Sequence, residues 1–186
     1  MDFAAKFDEG LNYRDFLAKY GTDEQRRRWE AVHAEVRLSD AQRELLRSFR
    51  REMKVLVTAG TWCGDCVNQC PIFAHFEAQG GRIHVRYFDR DGDAELSGAL
   101  AICGAPRVPS VLFLSEDGHV CGRYGDRTLS KYRQMAADQL GAACPTGVLP
   151  PERSLLESVT QDWLNEFERI QLMLRTSGRL RNLHGD

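Results

Sequence analysis

Apolar positions change their period along this chain, and the change divides it into three parts. Over residues 11–20 they recur at 13, 16, 17 and 20, the one-face spacing of a helix. Gly21 ends that segment, and Thr22 or Asp23 can cap a second helix over 24–38. Ser39 with Gln42 makes a capping-box pattern that opens a third, over about 40–52. The next run, Met53–Ala59 (MKVLVTA), is short and β-branched, the signature of a buried strand. A helix is predicted over 67–79, an alternating strand over 82–88 (RIHVRYF), and a helix over 93–103. A strand over 110–114 (SVLFL), a Glu116-Asp117-Gly118 turn and a strand over 119–124 form a hairpin. Helix returns over 128–140.

Residues 141–151 hold three prolines, two glycines and Cys144, and read as a connector. Beyond it Leu155, Leu156, Val159, Trp163, Phe167, Ile170 and Leu174 share one broad face of a long helix, a face that needs covering. The division is therefore a helical N-terminal extension over 1–52, a β-α-β-α-β-β-α centre over 53–140, and a connector with a long C-terminal helix over 141–186. This order predicts an α/β fold of three layers, a central mixed sheet flanked by helices, with added helices at both ends.

Composition narrows the classes. With 42% hydrophobic residues in 186, the chain can build a core without disulfide support. A net charge of −2, with arginines alternating with acids along helical stretches, implies no nucleic-acid partner. The first ten residues carry acids and no long apolar run, so a secretory leader is not expected, nor is a membrane segment. The expected compartment is the cytosol, where thiols are kept reduced. Six cysteines there are free thiols, metal ligands or catalytic groups.

Three of them fall in TWCGDCVNQCP, residues 61–71. Cys63 and Cys66 follow a strand and open a helix. A two-residue spacer with Gly64 lets both sulfurs share a tight turn beside unpaired helix N–H groups, which favour thiolate over thiol. The upstream sulfur is then the nucleophile and the downstream one the resolving thiol. Cys70 lies four residues on, along the same helix face, as a core thiol, a third redox partner or a regulatory group. The rival chemistry is a metal site (zinc or iron–sulfur) of Cys63, Cys66 and Cys70, with His75 as a fourth ligand. A third class is a non-enzymatic interaction module anchored on Trp29 and Trp163.

Trp62-Cys63-Gly64-Asp65-Cys66 resembles the tryptophan-cysteine-glycine-proline-cysteine motif of the thioredoxin family. Pro71, five residues after the second cysteine, is similar to the proline that kinks the active-site helix there. Val108-Pro109-Ser110 is similar to the loop whose cis-proline faces the redox pair, and Gly122 and Gly125 fall where the family often has glycine. The resemblance covers about 53–140, and the added helices look like those of a bacterial thioredoxin-like subgroup. It implies a thiol–disulfide oxidoreductase in which Cys63 attacks and Cys66 releases. Trp62, Val108 and Pro109 would then meet a disulfide-bearing protein or a low-molecular-weight thiol. An unidentified electron donor would complete the cycle, with no cofactor.

Two positions depart from the family. Its buried acid, six residues before the first cysteine, is here Val57, which leaves the Cys66 proton without an acceptor, unless Asp65 or a water substitutes. Asp65 itself replaces the spacer proline. At ~6 Å from a Cys63 thiolate its carboxylate repels by about 0.7 kcal/mol in water and about 2.8 at an effective dielectric of 20. The helix terminus opposes it by ~0.3–2 kcal/mol. Asp65 is thus expected to modulate the pair toward the oxidised state. Cys103 and Cys121 read as core residues, and Cys144 as a loop thiol. Asp89, Asp91 and Asp93 imitate a calcium loop, but Ala94 and Leu100 stand where it needs Gly and Glu. Arg107 reads as exposed, and Asp126 or Thr128 as a helix cap.

Overall fold

The β-branched run Met53–Ala59 forms β1, buried along almost its whole length between layers of helix. In this computed structural model, which describes residues 1–140 and 154–186, β1 pairs in parallel with β2 (Ile83–Asp89) and antiparallel with β3 (Ser110–Ser115). A hairpin adds β4 (Val120–Gly125), giving a mixed sheet in the order β2-β1-β3-β4. Helix α5 (Gly64–Gly80) makes the crossover from β1 to its parallel neighbour, the connection a parallel pair requires.

Alternate side chains of each strand enter different layers. Val55, Val57, Val85, Tyr87, Val111 and Phe113 join the larger core, with α2 (Tyr13–Tyr20), α3 (Asp23–Glu35), α5 and α8 (Leu155–Thr176) over them. Leu56, Leu112 and Leu114 face the smaller one, closed by α1 (Phe3–Asp8) and α6 (Ala94–Ala99) through Phe7 and Leu96. The architecture is α/β in three layers, with added helices at both ends. The broad face predicted for the C-terminal helix is covered: Trp163 stacks edge-on against Phe73, and Phe167 packs tilted against Phe73 and edge-on against Phe76 and Phe113. Trp29 and Trp163 are fully buried and are not surface anchors.

Several boundaries differ from the sequence reading for local reasons. Leu11 is outside α2, because its backbone pairs with Tyr87 at the sheet edge, N–H to O at 3.1 and 2.7 Å. The second and third predicted helices stop early, at Glu35 and at Arg47, the end of α4 (Asp40–Arg47), while Val36, Leu38 and Phe49 turn into the core. Both capping boxes form, Thr22 with Gln25 and Ser39 with Gln42. The helix predicted over 93–103 ends at Ala99, and Ile102 bonds Ala105 across a tight turn in which Cys103 has φ 52°. That turn leaves Cys103 exposed, not in the core. The long C-terminal helix breaks at Ser177, whose hydroxyl accepts the Leu180 N–H and starts α9 (Gly178–His184). Helix α7 (Leu129–Leu140) is capped from outside: Asp162 on α8 accepts the Ser130 N–H at 2.7 Å. The Thr128 hydroxyl has no hydrogen-bond partner among the described residues, so the cap assigned to it, or to Asp126, is not seen there. The predicted connector and Cys144 lie outside the described residues.

Candidate functional site

Helix α5 starts at Gly64, three residues before the start read from the sequence, so Cys63 becomes its N-cap, with extended backbone (φ −78°, ψ 123°). Cys63 makes no side-chain cap hydrogen bond, but the Asp65 and Cys66 N–H groups of the first turn act on its sulfur. These donors favour the thiolate. They are outweighed by the hydrogen bond with the Cys66 thiol and by burial, which together hold the Cys63 thiol above its ordinary value. Cys66 is buried one turn in. Burial pushes its thiol well up, against the Gly60 N–H, which reaches its sulfur at 3.5 Å.

The Val108–Pro109 peptide is cis, and the Cys63 thiol donates to the Val108 carbonyl at 3.6 Å. Gly125, with φ 130°, backs this loop: a Cβ there would stand 2.4 Å from the Pro109 carbonyl oxygen, so only glycine fits. The Trp62 ring is 43% exposed, lies close over Gly60, and carries the Arg90 guanidinium 4.4 Å from its ring centre. Cys63, Cys66, Val108 and Pro109 therefore come together, with Trp62 at the rim, while Cys70 is buried one turn further along α5.

Asp65 is not the unpaired charge that the sequence reading assumed. Its Oδ2 receives Arg127 Nη2 at 2.7 Å and Nε at 2.8 Å. Arg127 also touches Asp126 Oδ2 at 3.4 Å, and Arg107 reaches the same oxygen at 3.2 Å. Burial alone would raise the Asp126 carboxyl; the Tyr132 hydroxyl and Arg107 outweigh it and hold it below the usual carboxylate range. Gln69, also buried, ties this cluster to the helices: its amide donates to the Asp65 and Asp126 carbonyls at 3.2 and 3.0 Å and accepts from Trp163 Nε1 at 2.9 Å. On the other side Trp29 Nε1 donates to the Thr61 carbonyl at 2.9 Å, and the Thr61 hydroxyl bonds the Tyr20 carbonyl and Gln25. The added helices thus hold the cysteine turn from both flanks.

Arg127, Arg90 and Gln69 are the site-shaping residues that sequence reasoning missed. No local pattern signals them, since Arg127 meets Asp65 across 62 positions. Among the described residues no group of three or more His, Cys, Asp or Glu is arranged to hold a metal ion. His75, named as a fourth ligand, instead stacks on His33 with ring centres 4.2 Å apart, its Nε2 at 2.9 Å from the His33 carbonyl. Of the DRDGD acids, Asp89 holds the Asp91 and Gly92 N–H groups and Asp93 caps α6.

A thioredoxin family model matches residues 10–139. The chain belongs to the thioredoxin family. That match begins well before β1, so it takes in α2 and α3, which hold one flank of the cysteine turn, and ends before α8, which holds the other. A protein of unknown function from Pseudomonas aeruginosa shares the fold, at 21% identity and a TM-score of 0.70, over 91% of this chain and 98% of that one. An HIV epitope-scaffold does so at 20% identity and 0.69, over 91% and 99%. No curated protein matches. Within this thioredoxin-family chain no helix among the described residues is long and apolar enough to cross a membrane.

Proposed function

We propose that the chain is a thiol–disulfide oxidoreductase, with Cys63 as nucleophile and Cys66 as resolving thiol. The observation that carries the reading is the pairing of Cys63 and Cys66 at the start of one helix, the outer thiol against the carbonyl that precedes cis Pro109. In the reducing direction the Cys63 thiolate attacks a substrate S–S bond, forms a mixed disulfide and expels one substrate thiolate, which takes up a proton. Cys66, as thiolate, then attacks the Cys63 sulfur, closes the Cys63–Cys66 disulfide and expels the second thiolate. An external dithiol returns the two electrons. Extended substrate backbone would lie along Val108–Pro109, with Trp62 and Arg90 at the edge. The partners in this reading are a protein or low-molecular-weight disulfide and a separate electron donor, in the cytosol.

Equilibration against graded ratios of reduced and oxidised glutathione, followed by thiol counting, tests the pair. A reversible two-electron transition that Cys63→Ser abolishes is expected. A chain that keeps both thiols reduced across the series would refute the assignment.

A further inference from the structure

We propose, on the redox reading above, that Arg107 is a specificity-determining residue of this site: its guanidinium receives a carboxylate carried beside the substrate disulfide. Arg107 stands directly before Val108, whose carbonyl accepts the Cys63 thiol at 3.6 Å. Consecutive Cα atoms across a trans peptide are about 3.8 Å apart, so a substrate backbone laid along Val108–Pro109 passes this residue. The Arg107 side chain keeps 41% of its exposure, while the Asp126 carboxylate that holds it keeps 5%. Among the described residues its anchor is one contact, Nη1 to Asp126 Oδ2 at 3.2 Å. A guanidinium presents a planar fork of N–H donors, so the donors left over can take both oxygens of an incoming carboxylate.

The surroundings leave that cation outermost. Gly125 backs the Pro109 carbonyl, and Asp126, the next residue, is buried. Asp126 also accepts from the Tyr132 hydroxyl and meets Arg127 Nη1 at 3.4 Å. The other two nitrogen positions of Arg127, Nε and Nη2, lie on Asp65 at 2.8 and 2.7 Å. Arg127 therefore has no open fork, and the acid two residues after Cys63 is already held. Two guanidiniums and two carboxylates cancel in formal charge, but in each pair the carboxylate is the deeper partner. Across the groove Arg90 lies on Trp62 and is paired through Nε and Nη2 with Asp91, which is the more exposed of the two. That flank presents both signs at the surface. An anionic group is thus favoured on the Val108–Pro109 side, where the exposed charge is positive.

The covalent step is that of the reading above. The Cys63 thiolate attacks the nearer sulfur, the substrate S–S bond breaks, and the departing thiolate takes up a proton. Arg107 touches the substrate carboxylate and not the reacting sulfurs.

The test uses full-length reduced protein with Cys103, Cys121 and Cys144 changed to Ser as the parent. It is mixed in turn with 3,3′-dithiodipropionate (a dianion), bis(2-hydroxyethyl) disulfide (neutral) and cystamine (a dication). Loss of free Cys63 is followed by acid quench and mass spectrometry. Each variant's rate is divided by the parent's for the same disulfide, which removes the compounds' own reactivity. Arg107→Gln is expected to lower the dianion rate relative to the neutral one by about two- to fivefold, and to raise the dication rate on the same scale. Arg107→Lys, which keeps the charge, is expected to retain the parent order. Added salt should erode the parent's preference for the dianion and change Arg107→Gln little. Tyr132→Phe takes a different donor from Asp126 and should keep the parent ratios.

An Arg107→Gln protein with the parent's dianion-to-dication ratio would overturn the proposal. So would an equal loss in Tyr132→Phe, which would place the effect in Asp126. A cystine-bridged peptide with Glu or Gln beside the attacked half-cystine separates the sources of the carboxylate. A Glu-over-Gln preference lost in Arg107→Gln assigns it to a protein substrate; equal peptide rates, with the small-molecule effect intact, assign it to a low-molecular-weight disulfide. A parent whose Cys63 stays free with all three disulfides would instead sink the redox reading beneath the proposal.

Discussion

Breaking the Asp65–Arg127 pair in each direction tests how Cys63 is tuned. The two side chains retain 16% and 24% of their exposure and meet through two nitrogens on one oxygen, so Cys63 senses a nearly neutral pair. Arg127→Met leaves the carboxylate alone in the first turn of α5. At ~6 Å its repulsion of a thiolate lies between about 0.7 and 2.8 kcal/mol as the effective dielectric falls from water to 20. That raises the Cys63 pKa by about half a unit to two units. Asp65→Asn leaves the cation alone and lowers it, by an amount nearer the small end because Asp126 still touches Arg127. The double variant is expected close to the parent.

The assay is alkylation of Cys63 by iodoacetamide across pH, read by mass spectrometry of its peptide. Below the pKa the rate follows the thiolate fraction. At pH 7 Arg127→Met should therefore react about 3- to 100-fold more slowly, and Asp65→Asn faster. If Asp65 acted without Arg127, the double variant would follow Asp65→Asn. That result, or single variants that shift the same way, refutes the pairing argument.

Trp163→Phe keeps the edge-on packing but strips the donor from buried Gln69, and is expected to cost about 1–3 kcal/mol in urea unfolding. A chain ending before Ser154 uncovers Phe73, Phe76 and Phe113 and should be insoluble; a well-folded soluble product would contradict the packing of α8. Burial, followed by His75 and Arg14, holds the His33 pKa below its ordinary value, so the unfolded chain binds that proton more readily. Stability should then rise with pH through the window just below ~6.5 and fall as acid is added. His33→Asn should flatten that slope, measured as the urea midpoint from pH 5 to 7.5. Protein purified without chelator should keep its far-ultraviolet circular dichroism after EDTA treatment and contain less than a tenth of an equivalent of zinc, as a redox pair needs none.

Much of this arrangement is legible along the chain because it depends on near neighbours. The strand at Met53–Ala59, both capping boxes and the placement of Cys63 and Cys66 between a strand and a helix follow from period and propensity. So does the broad apolar face of the C-terminal helix. Helix ends were less readable, since Val36 and Phe49 leave their helices to reach a core assembled from distant segments. Leu11 likewise gives up helix for a sheet edge 76 positions away, Tyr87. Cys103 follows the same logic in reverse, its tight turn holding it in solvent.

The sequence alone determined the α/β class, the order of the elements from β1 to α7 and the pair of thiols at a helix start, all products of contacts within a few residues. Tertiary structure alone decided what those thiols meet. It set Arg127 on Asp65, Arg90 on Trp62, Val108 before Cys63 and Trp29 behind Thr61. Electrostatic tuning falls off with distance in space and not along the chain, so a charge 62 positions away can govern a cysteine turn that no spacing rule connects to it.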